Sequence, residues 1–203
     1  MYQQDPLTTV DLVTLLPAFR TYNIQDVPDG LALAHIITGA REFMVRSGCY
    51  TYEYLTDFVG GLRRYDLDIP TGFEVGHVKT PAYPTNDAGD TPRFPYRVVS
   101  ATPTSMTISG APSTTITNGI VLRATLVPVT GGCLVPTDTF NKYNNAFIRY
   151  ALWQLLSMPK EKWSSSQMAK THYLQYNILV SRARGEADTT ATNGLMAISR
   201  GYF

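Results

Sequence analysis

Apolar residues recur at helical spacing twice near the C-terminal end of the chain, on either side of an abrupt turn. Phe140, Tyr143, Phe147, Ala151 and Leu155 form the first stripe, and Ala169, Tyr173, Tyr176, Val180 and Ala183 the second. Between them lies Met158-Pro159-Lys160-Glu161-Lys162-Trp163-Ser164. Pro159 has no amide hydrogen and disfavours helical geometry in Met158, so the first helix is predicted to end there. Ser164 and Gln167 have the spacing of a capping box, which starts the second helix at Ser164. The hairpin turn, with Pro159, Trp163 and Ser164 as its key residues, joins two packing surfaces and carries no catalytic constellation.

A similar pattern opens the chain. Thr8 to Phe19 reads as a short helix with Leu12, Leu15, Leu16 and Phe19 on one side and Pro17 as a break. Asp26-Val27-Pro28-Asp29 is a helix-start signal, with an acidic cap and proline in the first turn. The helix that follows carries Leu33, Ile36, Ile37, Ala40, Phe43 and Met44 on one face and stops at Gly48.

The period changes in the middle of the chain. Alternating or β-rich runs occur at Tyr50–Leu55, Arg64–Ile69, Glu74–Lys79, Tyr96–Ala101, Ser105–Ser109 and Ile120–Val127, separated by Gly- and Pro-rich turns. Asn118-Gly119, between Ile116 and Ile120, reads as a type I′ hairpin turn. The proline-rich, polar loop Pro81–Pro95 belongs at an edge or an interface. The fold class is therefore α+β: three to four helices from both ends of the chain form a bundle, with a central antiparallel β-rich insertion, a small sandwich or barrel. The divisions are residues 1–48 (helical), 49–133 (β-rich insertion), 134–188 (helical hairpin) and 189–203 (tail). The tail from Asp188 to Phe203 has no sustained period and reads as a frayed, non-helical end, unless its apolar and aromatic residues bury against this chain or another.

Composition sharpens the picture in two ways. Apolar residues make up 44% of the chain and charged residues only 16%, below the roughly 25% charge of soluble domains. Together with 13 tyrosines, this favours a subunit whose surface is partly covered by neighbours. Charge is also uneven: residues 1–90 carry 12 acidic and 6 basic side chains, and residues 91–203 carry 4 and 11. Opposite-signed ends suit head-to-tail neighbours, unless the two regions fold together and their charges interleave. No Lys/Arg-rich run or basic-aromatic stripe marks a nucleic-acid binder. Cys49 and Cys133, the only cysteines, read as reduced structural thiols. The opening lacks the basic segment of a signal peptide and no apolar stretch is long enough to span a membrane, so a soluble protein made in the cytoplasm is expected.

Candidate chemistry is sparse. His35, His77 and His172 have no partner at metal-ligand spacing, and there is no nucleophile elbow or phosphate-binding glycine loop. Asp66 and Asp68 alternate on a strand beside Arg64 and read as a salt-bridged surface. Arg182 and Arg184 are placed near a helix C-terminus, where they complement its dipole. No enzyme activity, metal or cofactor is predicted.

The segments acquire a common meaning when taken in order. Val27-Pro28-Asp29, Ala40-Arg41-Glu42-Phe43, Ser47-Gly48-Cys49-Tyr50, Tyr65-Asp66-Leu67 and Pro70-Thr71-Gly72-Phe73-Glu74-Val75 occupy the first half. Leu134-Val135-Pro136, Tyr143–Leu156, Met158-Pro159 with Lys162-Trp163, Tyr176, Ala183-Arg184 and Arg200-Gly201-Tyr202-Phe203 occupy the second. This succession resembles the phage head-to-tail adaptor family, the tail-tubular or gatekeeper-type connectors of short-tailed phages. The chain departs from the family in having Tyr50 or Tyr52 where Trp is more usual, and in its enlarged Pro81–Pro95 loop.

The resemblance implies a structural virion protein at the head-tail junction, built as a helical bundle with a β-rich insertion and assembled as a twelvefold ring. Its partners would be the portal protein on one side and a tail nozzle or tube protein on the other, with genomic DNA passing non-specifically through the lumen. The tail residues Leu195, Met196, Ile198, Arg200, Tyr202 and Phe203 would dock on the portal. The competing expectation is another tail or virion component, a tail terminator or host-recognition module, acting through its loops. A third, an enzyme, would require a polar pocket near His77, Asp66 or Glu74.

Overall fold

The computed structural model describes residues 8–24, 26–67, 69–82, 98–102 and 105–200. They form an α+β protein that divides into two compact units, one made by residues 51–127 and the other by residues 8–50 together with 128–200. The β unit is thus inserted in the chain of the helical unit, and its boundaries fall a few residues inside the predicted 49–133.

The helical unit opens with strand β1 (Thr9–Asp11) and a single 3-10 turn (Leu12–Leu15), followed by α1 (Leu16–Arg20) and α2 (Asp29–Ser47). The single helix expected over Thr8–Phe19 is therefore replaced by three short pieces. A local bond and a strand pairing explain the change. The Asp11 carboxylate accepts from the Val13 amide at 2.9 Å and starts the turn there, while the residues before it are drawn into a strand. Pro17 stands in the first turn of α1, where its missing donor costs nothing, and does not break the helix. Leu12, Leu15 and Phe19 are buried as the spacing requires. α2 begins after Pro28 and ends at Gly48, whose φ of 61° is the left-handed cap anticipated from the sequence.

The β unit contains β2 (Thr51–Phe58), β3 (Arg64–Asp66), β4 (Phe73–Ala82), β5 (Val98–Ala101), β6 (Ser105–Ile108) and β7 (Ile116–Pro128). They make two three-stranded sheets, of order β2-β7-β4 and β3-β6-β5, and neither closes into a barrel. Phe58 and Ile120 from the first sheet and Tyr65, Met106 and Ile108 from the second share one buried cluster. Arg64 and Asp66 flank buried Tyr65 on the opposite face of β3, 4.0 Å apart and exposed, as alternation predicts. Asp68 and residues 83–97, which include most of the Pro81–Pro95 loop, lie outside the described residues.

Asn118-Gly119 is not a hairpin turn. β7 pairs with β2 on both sides of it, Ile120 opposite Thr56 and Ile116 opposite Phe58, and the extra residues form a bulge. The chain curls so closely there that a Cβ on Gly119 would stand 2.8 Å from the Ile116 carbonyl oxygen. A turn dipeptide also satisfies a bulge, and pairing with β2 on both sides decided between the two.

After β8 (Leu134–Pro136), which pairs antiparallel with β1, come α3 (Thr137–Leu156) and α4 (Ser166–Arg200). Phe43 of α2 meets Tyr143, Phe147 and Tyr176 with ring centroids 5.0, 5.6 and 6.3 Å apart, so aromatic rings from all three long helices share one core. α2 and α3 come close at Gly39, against which the Tyr150 ring lies.

α4 corrects three expectations. It has 35 residues, about 52 Å, and runs unbroken across position 188, so the stretch expected to lack regular structure is helical through Arg200. Arg182 and Arg184 are consequently well inside the helix and not near its end. Its N-cap is Ser165, not Ser164: the Ala169 amide donates to the Ser165 carbonyl at 2.9 Å and the Met168 amide to its hydroxyl at 3.5 Å. Ser164 turns back instead, its hydroxyl 3.5 Å from the Leu156 carbonyl. Among the described residues, no helix is long and apolar enough to cross a membrane.

Candidate assembly surface of the helical unit

The α3–α4 hairpin is closed by short-range bonds that the sequence dictates. The last amides of α3 are satisfied within the helix, Ser157 donating to the Trp153 carbonyl. Lys160, after Pro159, adopts φ +67°, and the Ser165 amide then reaches back to the Leu156 carbonyl at 2.9 Å. Lys162 in this turn approaches Asp26 at 3.7 Å, joining the basic second part of the sequence to the acidic first part. The charge asymmetry accordingly shrinks in the folded chain. Residues 51–127 carry 7 acidic and 6 basic side chains, and residues 8–50 with 128–203 carry 8 and 11. The Trp163 indole nitrogen is buried without a hydrogen-bond partner.

Farther along, Glu186 of α4 collects three donors: Lys142 at 2.6 Å, the Tyr143 hydroxyl at 2.6 Å and Arg182 at 3.0 Å. The Lys142 bond leads in holding the Glu186 carboxyl down at about 2, and burial leads in pushing the Tyr143 phenol up to about 12. Because Glu186 is depressed on folding, its contribution is present above its unfolded value of 4.5 and is lost as pH falls towards 2.

His35 is half-buried on α2, His77 is exposed on β4 and His172 is buried on α4. Among the described residues, no group of three His, Cys, Asp or Glu could hold a metal ion, and both cysteines are unpaired. His172 faces Arg149 of α3, whose guanidinium lies 3.0 Å from Nδ1 and stacks 5.0 Å from the Tyr22 ring centroid. Tyr22 itself meets the imidazole edge-on, at 6.0 Å between centroids. Nδ1 must be the acceptor in this pair, so the ring is neutral. Burial, and then the Arg149 charge, lower its pKa, against a smaller opposing effect of Gln175.

A group that must stay neutral in the fold stabilises it above its unfolded pKa of 6.5 and loses that contribution as pH falls below it. We expect the melting temperature to fall between about pH 7 and 5, and the fall to flatten in His172→Gln. An equally steep fall in both proteins would remove His172 as its cause.

Opposite the buried stripe of α4, the outer side of the helix carries two aliphatic side chains among polar ones. Leu174 and Ile178 are 62% and 67% exposed, and Met168 and Tyr173 are partly exposed nearby. Tyr173, expected in the core stripe, is the one of its five residues that is not buried. The exposed pair lies off the core period, so the spacing of buried positions does not reveal it. Leu174 and Ile178 are four apart and opposite that period, a signal visible in the sequence itself.

The projected end of α4 adds to this surface. With Tyr150 against Tyr176 and Tyr143 against Glu186, α3 and α4 run antiparallel. A rise of about 1.5 Å per residue puts Thr137, the first residue of α3, level with roughly position 190. About ten residues of α4 therefore extend past the start of α3. Leu195, Met196, Ile198 and Arg200 are on the backbone of this extension, and their side chains lie outside the described residues, as do Tyr202 and Phe203 altogether.

No protein-family model matches the chain, and a search of curated proteins finds no match.

Proposed function

We propose that the chain is a non-enzymatic structural subunit of a phage head-to-tail junction, which closes with its copies into a ring between the portal and the tail nozzle or tube. In this reading the helices from both ends of the chain form the bundle of the ring wall, and genomic DNA passes through the lumen without sequence-specific contact. The observation that carries the proposal is α4, a 35-residue helix with aliphatic side chains on its outer side. It also extends past the helix it packs on. Such surfaces are uncommon on isolated monomers and are suited to subunit contact. The order of sequence segments shared with the adaptor family supplies the particular assembly.

Portal docking is assigned to the end of α4 and the residues after it. Truncation after Asp188 leaves the described core contacts of α4 in place, from Ala169 to Glu186. The truncated chain is expected to melt as the full chain does and to lose co-sedimentation with the portal encoded by the same genome. Undiminished co-sedimentation would contradict the assignment.

A further inference from the structure

We propose that His172 is the proton sensor of a latch: protonation of its imidazole in mildly acidic solution frees Tyr22 and opens the connector 21–28 between α1 and α2, while the long helices stay packed. No neighbouring subunit is required, so the latch would operate in a single chain.

The connector is held at few points. Its described residues belong to no helix or strand, and Asn23 and Asp26 have φ of 53° and 65°. These are left-handed values that a side-chain-bearing residue keeps only where its surroundings impose them. Val27 is buried at the far end, and Arg20 ties that end down through the Val27 carbonyl and the Asp29 carboxylate. Asp26 reaches Lys162, but both are exposed and such a pair holds little. At the near end Tyr22 rests on the helical hairpin, with the Arg149 guanidinium over its ring and the His172 ring edge-on to it. The amides of Tyr22 and Asn23 donate to the Phe19 and Arg20 carbonyls, each at 3.1 Å, so opening can be read at these two hydrogens.

His172 makes the Tyr22 contact depend on pH. Its side chain is only 6% exposed. Arg149 faces it from α3, Tyr22 from the connector and Gln175 from its own helix, and no carboxylate among the described residues bears on it. A guanidinium can only donate, so a proton on Nδ1 removes the 3.0 Å bond and sets two positive charges against each other. A buried imidazolium without a counter-ion costs more than the roughly 0.5–2 kcal/mol that contact with one aromatic ring can return. Water must therefore reach the site. α3 and α4 do not part to admit it, because Trp153–Tyr173, Tyr150–Tyr176 and Tyr143–Glu186 join them along their length. Half-exposed Tyr22, on its short connector, is the wall that yields. The open form binds the proton more tightly than the closed form, so opening grows as pH falls below 6.5 and is suppressed above it.

Amide hydrogen exchange on the full chain, corrected for the intrinsic effect of pH on exchange, tests the latch. Between about pH 7 and 5.5 the protection of the Tyr22 and Asn23 amides should fall about fivefold or more, with core amides of α2 and α3 unchanged. His172→Gln, whose side chain takes up no proton, should abolish the fall. Arg149→Met keeps the imidazole and removes the repulsion, so it should cut the fall by about half or more. No fall in the parent chain would overturn the inference, as would an equal fall in His172→Gln or in Arg149→Met. Protection lost equally across α2 and α3 would also overturn it, since that is unfolding of the whole unit and not the opening of a connector.

Discussion

Replacing Tyr176 by alanine should cost the helical unit about 3–5 kcal/mol, whereas replacing it by phenylalanine should cost nothing or add about 1 kcal/mol. The contrast follows from the ring and the hydroxyl having different surroundings. The ring is fully buried where α2, α3 and α4 meet, 5.3 Å from Tyr150 and 6.4 Å from Trp153 between centroids. Removing it leaves a cavity among side chains already held by one another, so little collapse can refill the space. The hydroxyl is buried with no hydrogen-bond partner. Arg46 lies over the ring face, its Cζ 5.5 Å from the centroid, and donates to the Asn177 side-chain oxygen at 2.8 Å, so it offers the hydroxyl nearby charge and no hydrogen bond of normal geometry. Burial pushes the phenol pKa far up, which keeps it neutral.

Urea denaturation followed by tryptophan fluorescence reads this directly, because both tryptophans, Trp153 and Trp163, belong to the helical unit. A Tyr176→Phe variant that loses more than about 1 kcal/mol would mean that the hydroxyl has a partner in solution.

The second large effect belongs to the β unit. Gly119→Ala should destabilise it by about 2–3 kcal/mol, since the new methyl group would meet the Ile116 carbonyl oxygen at 2.8 Å and its Cβ at 2.9 Å. Backbone cannot swing aside as the end of a flexible side chain can, so the bulge must open or the pairing of Phe58 with Ile116 must shift. Amide hydrogen exchange should show lost protection along β2 and β7. Protection equal to that of the parent chain would mean that the bulge tolerates a side chain, and that the close approach is not what requires glycine.

Both predictions bear on what could be read from the chain alone. The long helices and the six central strands were legible because burial leaves a period, 3.6 for Ile36, Ala40 and Phe43 and two for Arg64, Tyr65 and Asp66. Signals that serve two structures equally were not decisive. Asn118-Gly119 suits a hairpin or a bulge, and only pairing with a distant strand separates them. Ser164 and Ser165 both suit a cap, and the reach of the Ser165 amide back to Leu156 selected the second. The region after Asp188 lacks a hydrophobic period yet continues as a helix, so absence of a buried stripe was misread as absence of a helix.

The apolar tail after Asp188 stood out in the sequence, but its side chains lie outside the described residues, whereas exposed Leu174 and Ile178 were missed. Those residues mark the helix face directed away from the core, where a period-based search for buried positions does not look. The Arg149–His172 pair was invisible for a different reason: 23 residues separate the two, and only the hairpin brings them together.

The most direct measurement is the stoichiometry of the full chain assembled with the portal of the same genome, by native mass spectrometry and negative-stain imaging. The proposed function predicts a single closed ring of twelve copies seated coaxially on the portal. A trimer or hexamer that leaves the portal bare would contradict it, and would favour a tail terminator or host-recognition component.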